Sequence, residues 1–249
     1  MVAFSLPEND VKHLYLIDQP ENQSNFIRAF YAWEGSPFSL VQKVSNKTRG
    51  LSKQKKRRSS FATIDQILGK LKPDRIYTGN DRRIEFQYAM AHSNNACGIY
   101  IDDGTYTYLG RHTNWFKDHL IDNFVKKITY GPWWKQPRTI GASAWISECI
   151  VAFPMRVSEP LKHKILNKLP LNFDQVEFNK LSQLCLTHYQ GLSNKLSKLD
   201  KVLLLPHESV IDSNVLIKLK DWLQEQPGNL AIKHHPRTTT KTSYGLDDY

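Results

Sequence analysis

Across 249 residues the chain is 40% hydrophobic and 23% charged, which excludes a disordered polymer and leaves enough apolar surface to bury a core in one large α/β domain or two smaller ones. No run approaches the roughly 20 consecutive apolar residues of a bilayer-spanning helix, and the amino terminus, MVAFSLPENDVKHLYLID, has an acidic break where a secretion signal needs an apolar centre. Cys97, Cys149 and Cys185 are odd in number and lack any paired spacing, so neither a disulfide framework nor a zinc site is expected, and a reducing, cytoplasmic compartment is.

From residue 12 the apolar pattern alternates between the strand and helix periods. KHLYLID predicts a strand, ENQSNFIRAFYAW a helix and SPFSLVQKV a second strand. After a basic stretch, FATIDQILGKL has helical spacing, PDRIYTGN reads as a strand, DRRIEFQYAMAH as a helix and ACGIYIDD as another strand. NWFKDHLIDNFVKKI predicts a helix, GPWWKQPR interrupts the pattern, and WISECIVAFP resumes it as a strand. Trp133 and Trp134, next to prolines, are expected to pack rather than line a site. Residues 156–200 read mainly as helix, clearest in VEFNKLSQLCLTHYQ, and form a connection. A second series follows: KVLLLPHES as a strand, SNVLIKLKDWLQEQ as a helix and NLAIKHHP as a strand.

Strands alternating with helices predict parallel sheets covered by helices. The expected division is an amino-terminal Rossmann-like lobe over 1–155 and, over 156–249, a helical connection with a second Rossmann-like lobe. Two strands and one helix are too few to bury a sheet on both faces, so this carboxyl-terminal lobe is expected to be incomplete and the chain truncated.

The charge is concentrated. Eight Lys/Arg and no acid fall between Lys43 and Arg58, leaving 26 basic against 24 acidic residues elsewhere. The stretch holds no aromatic residue that could stack a base, so a solvated, mobile loop is the first expectation, an anionic membrane surface the second and nucleic acid the least favoured.

In open parallel sheets ligands gather beyond the carboxyl ends of strands, and three such ends are polar: TGNDRR (78–83), DDGTYTY (102–108) and HHPR (234–237). Asp102 and Asp103 follow CGIYI and precede Gly104; adjacent strand residues point to opposite sides, so one carboxylate can face a cleft while the other caps its own turn. Convergence on a metal is disfavoured for such a pair. Gly79 permits close approach, Asn80 or Asp81 can cap the next helix, and Arg82 or Arg83 in its first turn opposes the helix dipole unless it serves a negative partner. Pro236 holds His235 extended and lets an imidazole, the following amides and Arg237 converge on an anion, although a histidine–proline pair at a strand end can equally be turn chemistry.

The order TGNDRRIEFQYAM, YIDDGTYTY and, after a long interval, IKHHPR resembles the bacterial lipooligosaccharide sialyltransferases of glycosyltransferase family 52 and, more distantly, the bacterial polysialyltransferases, which share an acidic-acidic-Gly motif and a His-Pro motif. The resemblance runs from about Leu14 to Arg237. It implies a GT-B fold, two Rossmann-like lobes facing a cleft, and metal-independent, inverting transfer of sialic acid from CMP-sialic acid to a hydroxyl of a surface glycan, lipooligosaccharide or capsule. Carried over residue by residue, Asp102 is the base, with Asp103 the alternative, and His235 protonates or hydrogen-bonds the departing CMP phosphate. Gly79, Asn80, Asp81, Arg82, Gly104, Pro236 and Arg237 fall at donor or acceptor sites, and His234 has no assigned role. The family's serine-rich motif beyond His-Pro has no counterpart before Tyr249.

No cofactor beyond the nucleotide-sugar donor and the glycan acceptor is implied, and the enzyme would work at the inner face of the cytoplasmic membrane, with Lys43–Arg58 near anionic lipid. Two other readings remain: a glycosyltransferase for another nucleotide sugar, and a non-enzymatic polyanion- or membrane-binding protein acting through residues 43–58. Replacing the lysines and arginines of 43–58 by glutamine separates them. Donor turnover measured in solution is expected to survive, whereas binding to a polyanion falls and loses its steep salt dependence; loss of turnover would show that this division of labour is wrong.

Overall fold

The computed structural model describes residues 2–17, 25–44, 52–110, 115–170, 175–186, 192–205 and 213–233. The chain divides into two compact units, Met1–Leu181 and Ser182–Tyr249.

The first unit opens with a single turn, α1 (Val2–Ser5), followed by β1 (His13–Leu16), α2 (Asn25–Ala32) and β2 (Leu40–Lys43). Next come α3 (Ser52–Leu71), β3 (Arg75–Thr78), α4 (Ile84–His92), β4 (Cys97–Ile101) and α5 (Tyr106–Leu109). A π-helical stretch, Trp115–Asp122, continues into α6 (Asn123–Tyr130), and β5 (Ile146–Val151) and β6 (Ile165–Lys168) complete its strands. The helix α7 (Gln175–Leu186) crosses the boundary between the units.

The fold is mixed α/β with parallel sheets, as the alternating pattern predicts. Strands β1 and β2 form a two-stranded parallel sheet of their own, and β3-β4-β5-β6 form a four-stranded parallel sheet in sequence order. The second unit contains α8 (Leu192–Leu196), β7 (Lys201–Leu204), α9 (Ser213–Gln224) and β8 (Leu230–Lys233), with β7 and β8 parallel. Its core is small, with Leu205 and Leu223 buried against Leu203, Leu216, Leu219, Leu230 and Ile232.

Two expectations are corrected. Among the described residues of 156–200, α7 carries VEFNKLSQLCL as helix, as expected, but ahead of it the chain is not regular helix: Pro154 and Pro160 open short 3₁₀ turns, and Ile165–Lys168 adds to the edge of β5, with Glu148 opposite Ile165 and Val151 opposite Lys168. The first unit therefore runs past residue 155. The spacing of ILNK is ambiguous by itself, and the unpaired edge of β5 decides in favour of a strand. The basic stretch is likewise not a loop throughout, because α3 begins at Ser52 and carries the run through Arg58 as helix. Lys, Gln and Arg are good helix formers, and here they extend the amphipathic FATIDQIL segment, whose Ile64 is buried.

The core of the central sheet gathers Phe86 and Met90 from α4, Tyr100 from β4, Ile146, Cys149 and Val151 from β5, and Val157 and Leu161 from the chain beyond it. Burial pushes the Cys149 thiol pKa up to about 12, so this cysteine is an inert core residue. Trp134 is buried, with its Nε1–H donated to Gln136 Oε1 at 3.0 Å, in keeping with the packing role expected of it. Trp133 lies edge-on to Phe61, Tyr88 and His92.

Gly98 explains how β4 sits so tightly. A Cβ there would lie 2.1 Å from the Trp145 carbonyl oxygen, and the β4–β5 register shifts between Gly98 and Ile99. Gly98→Ala is expected to cost roughly 1–3 kcal/mol in urea unfolding, as overpacking against backbone does; an unchanged midpoint would show that β4 can move away.

Candidate active site at the carboxyl edge of the central sheet

Parallel strands bring their carboxyl ends to one edge. Thr78 pairs with Tyr100 and Ile101 with Ile150, so the segments after β3, β4 and β5 emerge side by side. Two of the three polar strand ends singled out from the sequence, TGNDRR and DDGTYTY, therefore meet there. The third, with His234, His235, Pro236 and Arg237, lies outside the described residues.

Asp102 is enclosed by donors. Its Oδ1 accepts the Gly104 amide at 3.1 Å and the Thr107 hydroxyl at 2.8 Å; its Oδ2 accepts the Ala152 amide at 3.1 Å and the Tyr108 hydroxyl. Burial acts to raise its pKa, but the hydrogen bonds from Tyr108, Ala152, Thr107 and Gly104 outweigh it and hold the carboxyl below the usual aspartate range. Gly104, at φ 126°, takes a conformation that L side chains rarely adopt and lets the chain double back so that its own amide reaches Asp102. The turn-capping role considered for this motif thus falls to Asp102.

Asp103 is the opposite case. Its residue is exposed, and among the described residues its carboxylate accepts no hydrogen bond. Desolvation at the rim raises its pKa, the neighbouring Asp102 charge raises it further, and Arg83 pulls it down. Arg83, at the start of α4, thus has a negative charge in its surroundings, as a cation at a helix start calls for. The end of β3 abuts this carboxylate: a Cβ on Gly79 would lie 3.6 Å from Asp103 Oδ1.

Beneath the pair runs a buried relay of hydroxyls. Tyr100, fully buried, shares a 2.8 Å hydrogen bond with Thr107 Oγ1, and its hydroxyl accepts the Asp103 amide at 3.2 Å. Burial lifts the Tyr100 pKa to about 12, so it stays protonated as a fixed dipole. These partners stand in the quoted DDGTYTY as the threonine and tyrosine five and six residues after Asp102, but nothing in their spacing shows that both turn back onto it.

The TGNDRR end is partly redistributed. Asn80 accepts the Arg82 amide at 3.0 Å in a local turn, and the residue capping α4 is Arg83, without a side-chain cap. Asp81 is turned inward. It is completely buried and accepts the Gly141 and Ser143 amides at 2.8 and 2.7 Å, fastening the 139–143 turn. Its pKa is raised by that burial, against the lowering pull of the same amides. Arg82 is half-buried. Sequence reasoning missed Gln87, which is fully buried: it donates to the Asp81 and Lys135 carbonyls and accepts the Lys135 amide.

Among the described residues no group of three or more His, Cys, Asp or Glu could hold a metal ion, and no helix is long and apolar enough to cross a membrane. Two concave surfaces lie elsewhere, one around Leu223, Gly228 and Asn229, the other around Asp65, Lys72 and His92, and neither includes the aspartate pair.

The fold and site define a parallel α/β protein with an ionisable pair at a strand end. No protein-family model matches the chain, and no curated protein matches it. Among solved structures the chain is similar to the alpha/beta-galactoside alpha-2,3-sialyltransferase of the luminous marine bacterium Photobacterium phosphoreum, at 12% identity and a TM-score of 0.46 over 93% of this chain and 77% of that one. At that identity and score the likeness carries no argument about activity.

The two carboxylates should differ in stability measurements. Asp102 has a depressed pKa, so its stabilisation is present above the ordinary aspartate value of about 3.9 and is lost as pH falls through the lower folded value. Asp103 has a raised pKa, so its unfavourable contribution appears as pH rises through that value. At neutral pH, Asp102→Asn is expected to lose about 1–3 kcal/mol, because an amide NH₂ meets donors at one oxygen position. Asp103→Asn should hold or raise the midpoint, and equal losses from both variants would contradict the assignment.

Proposed function

We propose that the chain is a glycosyltransferase of GT-B type that moves sialic acid from CMP-sialic acid to a hydroxyl of a galactose-terminated bacterial surface glycan, with inversion and without an essential metal. The observation that carries the reading is the Asp103 carboxylate, raised in pKa and free of hydrogen bonds among the described residues, at the carboxyl end of a parallel strand. The sequence resemblance supplies donor and acceptor.

In this proposal the base is Asp103 rather than Asp102. A carboxylate already accepting four hydrogen bonds has no lone pair left to take a proton and a depressed basicity, whereas Asp103 has both the open position and the higher pKa that general-base catalysis favours. Asp102 then acts as a positioning residue that fixes the turn. Asp103 removes the acceptor hydroxyl's proton, the oxygen attacks the anomeric carbon, and the bond to the CMP phosphate breaks through an oxocarbenium-like transition state. Gly79, which has no side chain, leaves the approach to Asp103 open. Support for His235 at the departing phosphate, with the amides after Pro236 and with Arg237, comes from the sequence motif.

The test is CMP release from CMP-sialic acid with a galactose-terminated oligosaccharide. Asp103→Asn is expected to lower kcat by roughly 10²–10⁴-fold while CMP affinity is nearly unchanged. The acid limb of the wild-type pH–rate profile should lie above the ordinary aspartate range and disappear in the variant, since Asp103 must be ionised to act. Full activity of Asp103→Asn, or turnover of uridine-based donors in preference to CMP-sialic acid, would overturn the proposal.

A further inference from the structure

The helix formed by Trp115–Asp122 and α6 is inside out. Its polar and aromatic side chains at four-residue intervals face the protein: Asp122 accepts from Gln136, Lys126 lies 4.8 Å over the Trp134 ring and pairs with Asp122 at 2.7 Å, and Tyr130 packs on Trp134. A surface helix ordinarily turns its apolar stripe toward the core. Here α6 has no buried residue, and Phe116, Leu120, Phe124 and Ile128, also four apart, are 60%, 50%, 65% and 71% exposed. Ile121 and Val125 widen the stripe at 47% and 51% exposed. Six large apolar side chains in one stripe exceed the scatter of single exposed residues that needs no explanation.

A second observation indicates what covers it. The first two turns of α3 contain Lys53, Lys55, Lys56, Arg57 and Arg58 without an acid, at the end of a helix whose dipole disfavours cations. Those turns are tied to the inverted helix, since Arg57 donates to the Tyr130 hydroxyl and its guanidinium lies 4.8 Å from that ring centre. The inverted helix adds three lysines against two aspartates. An apolar stripe on a helix whose last turn is held by a basic helix start matches one chemistry, an anionic lipid surface with headgroups outside and acyl chains beneath.

We propose that this face docks the protein on anionic membrane, the stripe from Phe116 to Ile128 entering the headgroup–acyl boundary while the start of α3 pairs with lipid phosphates. Basic charge alone is screened by salt, and a short apolar stripe alone binds weakly; together they make a reversible two-part anchor. The surface stands independently of the chemistry at Asp103, so failure of either leaves the other intact.

The experiment is co-sedimentation of the full chain with vesicles of phosphatidylcholine mixed with phosphatidylglycerol, against phosphatidylcholine alone. Binding is expected to the anionic vesicles. It should fall at least about tenfold in the double variant Phe124→Ser, Ile128→Ser, and similarly when Lys53, Lys55 and Lys56 become Gln. Phe124 and Ile128 are exposed, so unchanged thermal unfolding should accompany the loss in the serine variant. In Phe124→Trp the emission should shift to the blue on adding anionic vesicles and be quenched by lipids brominated in the acyl chain. Equal binding of wild type and the double serine variant would overturn the proposal, as would emission from the Phe124→Trp variant that is indifferent to vesicles. Concentration-dependent self-association abolished by the serine variant, without vesicle binding, would overturn it in favour of a second copy on this face.

Discussion

Four donors converge on the Asp102 carboxylate, and they come from three different stretches of chain: the turn after β4, the helix α5 and the segment after β5. A carboxylate at a strand end is a small object, yet by accepting the Ala152 amide it ties the exits of two adjacent parallel strands together. Everything at this edge depends on that constraint. With Asp102 held, Gly104 must turn, Thr107 is placed to meet Tyr100, and the backbone of Asp103 is fixed by its own amide bonding to the Tyr100 hydroxyl. The side chain of Asp103 is then left at the rim, beside Gly79, without a donor of its own among the described residues.

Two chemically identical side chains thus acquire opposite properties from the way the chain leaves one strand. The inner one is charged and saturated, and its work is structural; the outer one is raised in pKa and open. The separation begins with which side chain meets donors, and the charge of Asp102 then adds to the rise at Asp103. Asp81 repeats the lesson at the next strand. It too is an aspartate just beyond a strand end, but it is fully buried, where the Gly141 and Ser143 amides bond to it and it braces their turn.

The same attention to which face is turned inward exposes the inversion of the helix ending at Tyr130. Its polar residues find partners in Trp134 and Gln136, so the polar side is satisfied within the protein and the apolar stripe is left outside. Neighbouring residues of α3 supply the positive charge. A membrane function for Lys43–Arg58 read from charge alone omits the apolar half of such a surface.

Hydrophobic period and strand direction are local, additive properties. For that reason the alternation of strands and helices, the parallel α/β class that follows from it, and the meeting of 78–83 with 102–108 at one sheet edge were all legible in the order of residues. So was the DDG turn, since a glycine after two aspartates is local turn chemistry. Other features required the folded chain. β6 exists because β5 had an open edge, which ILNK does not encode by its own spacing. Asp102 is saturated because Ala152, fifty residues away, lies across the sheet from it, and Asp81 is buried because the 139–143 turn closes over it. Hydrogen bonds between distant segments and the side of a helix that meets the core are set by packing, and no local pattern contains them.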